Sequence, residues 1–276
     1  AQVVHLSVAA TSERLAALEE RVGQRLFDRR RTGLVITAAG QTLLRHGRAA
    51  LHLLEQAQAE LDETDSEHCG RVRIHANTSA VTEFMPQILG SFMAERPRVM
   101  VDLFERPLHG AMQGVAEGAV DFAIIASNEP PLAFERRKFA SDRMVLVTAQ
   151  GHPLGAARSL RYRDALAFPQ VSLEIGTSYA DFMREIRHQL GWQPTTRIEL
   201  RSFEAMCIMI AAGVGVGVLP ESVARRHART MKLTIHTLRE AWARRDRYVI
   251  AQSFDAMPRA AQALVHAIGR HFDRRF

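Results

Sequence analysis

SVAATSERLAALEERVGQRLFDRRRTGLVITAAG, residues 7–40, opens with a serine ahead of a helical pattern. Ala10, Leu15, Leu18 and Val22 fall on one side of that pattern, while Ser12, Glu13 and Arg14 point elsewhere. A hydroxyl at such a start can cap free backbone N–H groups, and a helix N-terminus also suits a phosphate. LFDRRRTGLVIT then reads as two short strands around a Thr32-Gly33 turn, with Arg29, Arg30 and Arg31 on or beside it. Arginine forks match phosphate oxygens, so contacts to base edges would come from the helix, at positions such as Ser7, Val8, Ser12 and Arg14. Taken as bare pattern, the stretch fits two readings equally: a DNA-binding element, or a solvated amphipathic helix followed by a hairpin.

Outward from this stretch the charge divides sharply. Residues 1–48 hold eight arginines against Glu13, Glu19, Glu20 and Asp28, whereas residues 49–66 hold no basic residue and five acids. Across the second part, Leu43, Gly47, Ala50, Leu54, Ala57 and Leu61 recur alternately four and three apart, the spacing that keeps one seam facing a partner helix. Leu43, Ala50, Leu54, Ala57 and Leu61 are therefore the candidate pairing residues of a long helix. Packing of that helix on its own domain is the plainer alternative.

The whole chain has 276 residues, 47% of them hydrophobic, which is enough for two or three compact units. A formal charge of +6 fits a partner carrying phosphates or other anions and says nothing about fold. Cys69 and Cys207 lack metal-type spacing, so neither a disulfide framework nor a zinc cluster is expected. No secretory leader opens the chain, and AAGVGVGVLP, residues 211–220, is far too short to span a bilayer, so a soluble cytoplasmic protein is expected. The twelve histidines form no H-E-x-x-H cluster and read as solvated. Gly213, Gly215 and Gly217 follow a helix and precede a strand, the reverse of a dinucleotide loop, and read as a tight turn. No G-x-S-x-G elbow marks a serine nucleophile. No metal, no cofactor and no enzymatic activity are expected.

From residue 71 short β-branched runs alternate with helical ones: RVRIHA, VTEFMPQILGSFMAERP, VMVDLFE, LHGAMQGVAEG and DFAIIAS. The theme returns in MVLVTA, PQVSLE, SYADFMREIRHQLG, TTRIEL, FEAMCIMIAAG and VGVLP. Such alternation predicts a mainly parallel sheet with helices on both faces. The length favours two α/β lobes with a cleft, crossed at AQGHPLGAARS, residues 149–159. In such sheets ligands sit beyond the carboxyl ends of strands, near helix N-termini. Three junctions qualify: Asn77, Thr78 and Ser79 after RVRIHA; Thr177 and Ser178 after PQVSLE; Arg201, Ser202 and Phe203 after TTRIEL. Ser127, after DFAIIA, is a weaker addition. Each hydroxyl is equally an ordinary helix cap. Convergence of the three junctions favours a small anion such as a carboxylate, with Ser79 and Thr177 facing each other from opposite lobes.

HLSVAATSERLAALEERVGQRLFDRRRTGLVITAAGQTLLRHGRAAL, residues 5–51, resembles the winged helix-turn-helix of LysR-type transcriptional regulators. There a hydroxyl-led recognition helix ends in L-E-x-x-x-G-x-x-L-F-x-R, here Leu18, Glu19, Gly23, Leu26, Phe27 and Arg29. A T-x-A-G segment, here Thr37, Ala39 and Gly40, opens a long dimerising helix. The resemblance runs on to the C-terminus. It implies an α/β chain of three parts: a winged helix-turn-helix over 1–40, a linker helix over 41–67 and a two-lobed effector domain over 68–276, like periplasmic binding proteins. Lobe I would span about 68–149 and 253–276, and lobe II about 150–252. The implied partners are double-stranded promoter DNA, a small organic effector and further copies of the chain, as a tetramer built from two dimers. The resemblance places Ser7, Val8, Ala9, Ser12, Glu13, Arg14, Arg29, Arg30, Arg31 and Thr37 at the DNA, and supports Thr78, Ser79, Thr177, Ser178 and Phe203 at the effector. The family usually begins with a first helix and most of a second, of which only AQVVHL stands here, so an N-terminally incomplete DNA-binding domain is expected. It also often has Gln-Pro where this chain has Val8 and Ala9, and a basic residue where this chain has Glu13. A carboxylate there repels phosphate but can accept from a cytosine amino group. The other class of reading is a two-lobed solute-binding or catalytic α/β protein whose N-terminal helices serve only oligomerisation.

Overall fold

The computed structural model describes residues 7–30, 33–61, 69–129, 131–191 and 195–274. The chain forms two compact units that part between Ala57 and Gln58. In the first, helix α1 (Val8–Val22) leads to a hairpin of β1 (Phe27–Arg30) and β2 (Gly33–Ile36), and then to the long helix α2 (Ala38–Leu61). The hairpin is antiparallel, with Arg30 opposite Gly33. Its turn residues Arg31 and Thr32 lie outside the described residues.

The second unit holds two cores. Lobe I is built on β3 (Cys69–Ala76), β4 (Arg98–Glu105) and β5 (Phe122–Ser127), with β4 and β5 both parallel to β3. A π-helical turn (Ala80–Phe84), α3 (Met85–Glu95) and the later helix α9 (Arg259–His271) bury Ile74, Phe92, Phe122 and Leu264 against it. Pro86 sits in the first turn of α3, where a missing N–H costs nothing, and so marks a fresh helix start after the π-helical turn. Helix α4 (Leu108–Ala116) closes a smaller cluster on Val120, Ala123 and Ile125.

Strand β6 (Glu135–Ala149) joins the lobes. Its residues 135–143 pair with the returning strand β12 (Arg244–Ala251), and its residues 144–149 pair in lobe II with β10 (Gly217–Pro220) and β11 (Leu233–Leu238). Lobe II further contains β7 (Ser159–Leu160), β8 (Gln170–Leu173) and β9 (Thr196–Leu200). Its helices are α5 (Tyr162–Ala165), α6 (Ser178–Gln189), α7 (Phe203–Ala211) and α8 (Glu221–His227). Leu146, Leu173, Met206, Ile210 and Leu219 form its core.

Three expectations give way here. The sheet is mixed, because β6 leaves lobe I and β12 returns beside it in the opposite sense, so both crossing strands run antiparallel to their neighbours. The crossings fall at Arg143–Met144 and Ala243–Arg244, earlier than the lobe limits read from sequence. One continuous strand serves both lobes and carries no turn residue at the division. AQGHPLGAARS is instead a turn and a 3₁₀ segment (Pro153–Ala156) that packs Leu154 and Ala157 onto the lobe II core. Nor are all histidines solvated: His236 is fully buried, its ring bonded to Thr148 Oγ1 at 3.0 Å and to the Ala157 carbonyl at 2.6 Å. A buried imidazole with both nitrogens partnered is a stable core residue.

Candidate DNA interface and effector site

In the first unit the motif residues hold the backbone in place. Ser7 caps α1, its hydroxyl accepting from Ala10 N at 3.1 Å. Glu19 reaches beyond the helix, and its Oε1 accepts from Leu26 N at 2.7 Å and Phe27 N at 3.0 Å, fixing the entry into β1. Thr37 donates to the Arg25 carbonyl at 2.8 Å and accepts from Gly40 N at 3.0 Å, so it caps α2 and ties the wing to the end of α1. Gly40 packs so closely that a Cβ would collide with the Leu26 carbonyl oxygen and Ile36. The L-E-x-x-x-G-x-x-L-F and T-x-A-G spacings are thus the hydrogen bonds and close approach of one small fold.

This frame leaves the first turns of α1 open. Val8 is 77% exposed, Ala9, Glu13 and Arg14 are exposed, and Ser12 is half-buried. Arg29 and Arg30 lie on β1, while Arg31 falls outside the described residues. The Thr37 hydroxyl is engaged within this frame, donating to the Arg25 carbonyl and accepting from Gly40 N at the start of α2. On α2, Leu43 is half-buried, Ala50 is exposed and Leu54 is 66% exposed. Leu44, Leu51 and Leu53 are exposed as well, so the apolar surface is broader than the seam. The side chains of Ala57 and Leu61 lie outside the described residues.

In the second unit two of the three junctions meet directly. Thr78 Oγ1 lies 2.9 Å from Ser178 Oγ, and Thr78 N donates to Ser178 Oγ at 2.8 Å, joining lobe I to lobe II. Tyr179 N donates to Thr78 Oγ1 at 3.3 Å. Phe203, at the start of α7, meets the Tyr179 ring edge-on at 5.4 Å, which draws the third junction to the same place. Burial pushes the Tyr179 phenol well above its usual range, and its hydroxyl donates to the Val218 carbonyl at 2.6 Å.

The remaining candidates have local partners. Asn77 Oδ1 accepts from Ala80 N at 2.9 Å, and Ser79, buried beside it, makes no capping bond. Thr177 caps α6, accepting from Ala180 N, and donates to the Glu174 carbonyl. The pair that meets across the lobes is therefore Thr78 and Ser178, one residue away from the expected Ser79 and Thr177 on each side. A helix start presents its cap and its first-turn residue in different directions, and the sequence pattern does not say which faces the neighbour. Ser202 caps α7 through Ala205 N, Arg201 pairs with Glu174 at 3.1 Å with its side chain 87% exposed, and Ser127 closes a loop with Glu129.

The structure adds residues that the sequence pattern passed over. Glu105, at the end of β4, accepts from Thr78 Oγ1 at 2.5 Å and from Ser178 N at 3.4 Å. Its place at a strand's carboxyl end was the available signal. Glu83 on the π-helical turn pairs with Arg226 on α8 at 3.0 Å, a second tie between lobes. Among the described residues no group of three or more His, Cys, Asp or Glu side chains could hold a metal ion, and no helix is long and apolar enough to cross a membrane.

Residues 65–273 match the LysR substrate binding domain, and residues 1–41 match the bacterial regulatory helix-turn-helix protein, lysR family. Among relatives, the HTH-type transcriptional regulator GltR of Bacillus subtilis is 26% identical over 235 residues, covering 84% of this chain and 77% of GltR. Among solved structures, full-length CbnR complexed with its target DNA superposes with a TM-score of 0.64 at 18% identity, covering 98% of this chain and 92% of CbnR. The effector binding domain of QuiR in complex with shikimate gives a TM-score of 0.56 at 15% identity, covering 75% of this chain and 99% of that domain. The chain belongs to the LysR family of bacterial regulators, DNA-binding transcriptional regulators with an effector-binding domain. The match of residues 1–41 to a DNA-binding domain decides against helices used only for oligomerisation.

Proposed function

We propose that this regulator reads promoter DNA with the exposed first turns of α1, holds the phosphates with its arginine-bearing hairpin, and senses a small anionic organic effector between the lobes of its second unit. The observation that carries the sensing part is the direct contact of Thr78 with Ser178 across the lobes, where two helix starts present polar groups. A ligand that binds one lobe arrangement better than another shifts the balance between them, and only that difference can regulate. The exposed leucines of α2 support pairing with a second copy of the chain, and a dimer of dimers is the assembly proposed. The chemistry is binding without catalysis, in the cytoplasm and without a cofactor.

The test uses protein expressed from its complete gene. Replacing Arg29, Arg30 and Arg31 together by alanine should weaken binding across all DNA sequences and flatten the salt dependence, since phosphate contacts act by counterion release. Electrophoretic shift at several salt concentrations reads both effects. An unchanged salt slope would remove the hairpin from the DNA surface. Changes at Ser7, Val8, Ser12 or Arg14 should instead alter which sites are preferred.

A further inference from the structure

The strands that join the lobes carry a cluster outside every sequence junction. Arg245 stands opposite Asp142 in the register of β12 and β6, and Arg247 follows two residues later on the same face. Asp142 Oδ2 is 3.4 Å from Arg245 Nη2 and 3.0 Å from Arg247 Nη2. The three side chains are 11%, 8% and 4% exposed for Arg245, Arg247 and Asp142. Two buried cations thus share one carboxylate. The neighbouring acids are engaged elsewhere, Asp246 with Lys138 and Glu83 with Arg226. Nε of both arginines and the Trp242 indole N–H are buried donors without a hydrogen-bond partner among the described residues. Buried donors are seldom left so, and a surplus buried charge is costlier still.

Rings from both lobes cover the pair. Arg247 lies over Phe84 at 5.0 Å and Arg245 over Phe182 at 4.3 Å. Phe84 ends the π-helical turn that follows Ser79, and Phe182 is one turn along α6 from Ser178. The arginines therefore lie beside the same two helix starts that meet at Thr78 and Ser178. At that meeting point the acceptor's place is already taken by the Glu105 carboxylate, which would repel an arriving anion.

We infer that Arg245 and Arg247 hold the negative group of the effector, the carboxylate of a small organic acid, in preference to the Thr78–Ser178 hydroxyls. This rests on the reading that the lobe junction is the effector site. The covered donors are reached only when Phe84 and Phe182 part, so occupancy is linked to movement of the lobes. Arg245→Met leaves a balanced Arg247–Asp142 pair and keeps the apolar stem. Without ligand its melting temperature should rise by about 2–4 °C, as expected for removal of a surplus buried charge from a chain of this size.

The experiment is calorimetric titration and thermal shift of the full chain with phenylacetate and succinate beside their neutral amides. The wild-type chain should prefer an acid over its amide by tenfold or more. Arg245→Met and Arg247→Met should each lose that preference, whereas Arg225→Met, which removes an exposed arginine of α8, should keep it. A lower melting temperature in both arginine variants, a preference that survives in them, or no response of the wild-type chain to either acid overturns the inference. DNA binding is measured on the same samples. A wild-type chain that prefers acids but binds no DNA would sink the regulatory reading and leave the charge site standing.

Discussion

Single residues carry most of what is distinctive in this chain. Glu19 and Thr37 look like sequence punctuation, yet each satisfies backbone groups that would otherwise stay unpaired, Leu26 and Phe27 N–H for one and the Arg25 carbonyl for the other. Gly40 is required by contact distance, since any Cβ meets the Leu26 carbonyl and Ile36. Gly40→Ala should therefore destabilise the first unit by about 1–3 kcal/mol, the usual cost of overpacking, and weaken DNA binding with it. Denaturation followed by electrophoretic shift checks both, and an unchanged stability would mean that α2 sits further from the hairpin. Cys207 gives a second residue-level outcome. Burial pushes its thiol up to about 11, so at pH 8 only about one molecule in a thousand holds a thiolate there. A thiol reagent should modify half-buried Cys69 and spare Cys207 until the chain unfolds. Labelling of native Cys207 would show that the lobe II core opens readily.

Elements were legible where spacing alone defines them. α1, α6 and α7 read as helical runs opened by a hydroxyl, α2 as a seam alternating four and three apart, and the hairpin as two short strands around Thr32-Gly33. The crossing strands were not legible. β6 is one strand of 15 residues with no turn signal where it changes lobes, and ARRDRYVIA alternates buried charge with solvated charge, a pattern that reads as surface. Charges at every second position of a strand facing a partner strand were the missed sign of Arg245 and Arg247. α2 carries its own prediction. Leu54→Asp together with Leu61→Asp should break pairing of subunits, because uncompensated charge in an apolar contact is costly. Light scattering should show a smaller mass, and a native mass would mean that the helix does not pair copies through this seam.

At the scale of the whole molecule, polar ties hold the lobes of the second unit in one arrangement, among them Thr78 with Ser178, Glu105 with Ser178 N and Glu83 with Arg226. The strand-to-helix junctions that meet between the lobes were legible in sequence because strand ends and helix starts are visible there, while the exact facing pair depends on helix rotation, which no local pattern encodes. Stability should depend on pH in a definite direction. Burial lowers the proton affinity of His75, aided by Arg106, and of His152, aided by His236. A depressed folded pKa means that the unfolded chain binds protons first, so these groups contribute stability above about pH 6.5 that is lost as pH falls through their folded values. Melting temperature should fall between pH 7.5 and pH 5.5, and replacing both histidines by glutamine should reduce that fall.

Whether this chain reads sequence is measured by selection of bound duplexes from a random DNA pool, followed by salt titration of the winner. A sequence-reading regulator should give one enriched site, an affinity that falls steeply with salt, and a shallower slope after replacement of Arg29, Arg30 and Arg31 by alanine. Protein expressed from the complete gene that enriches no sequence, or binds with no dependence on salt, would contradict that reading.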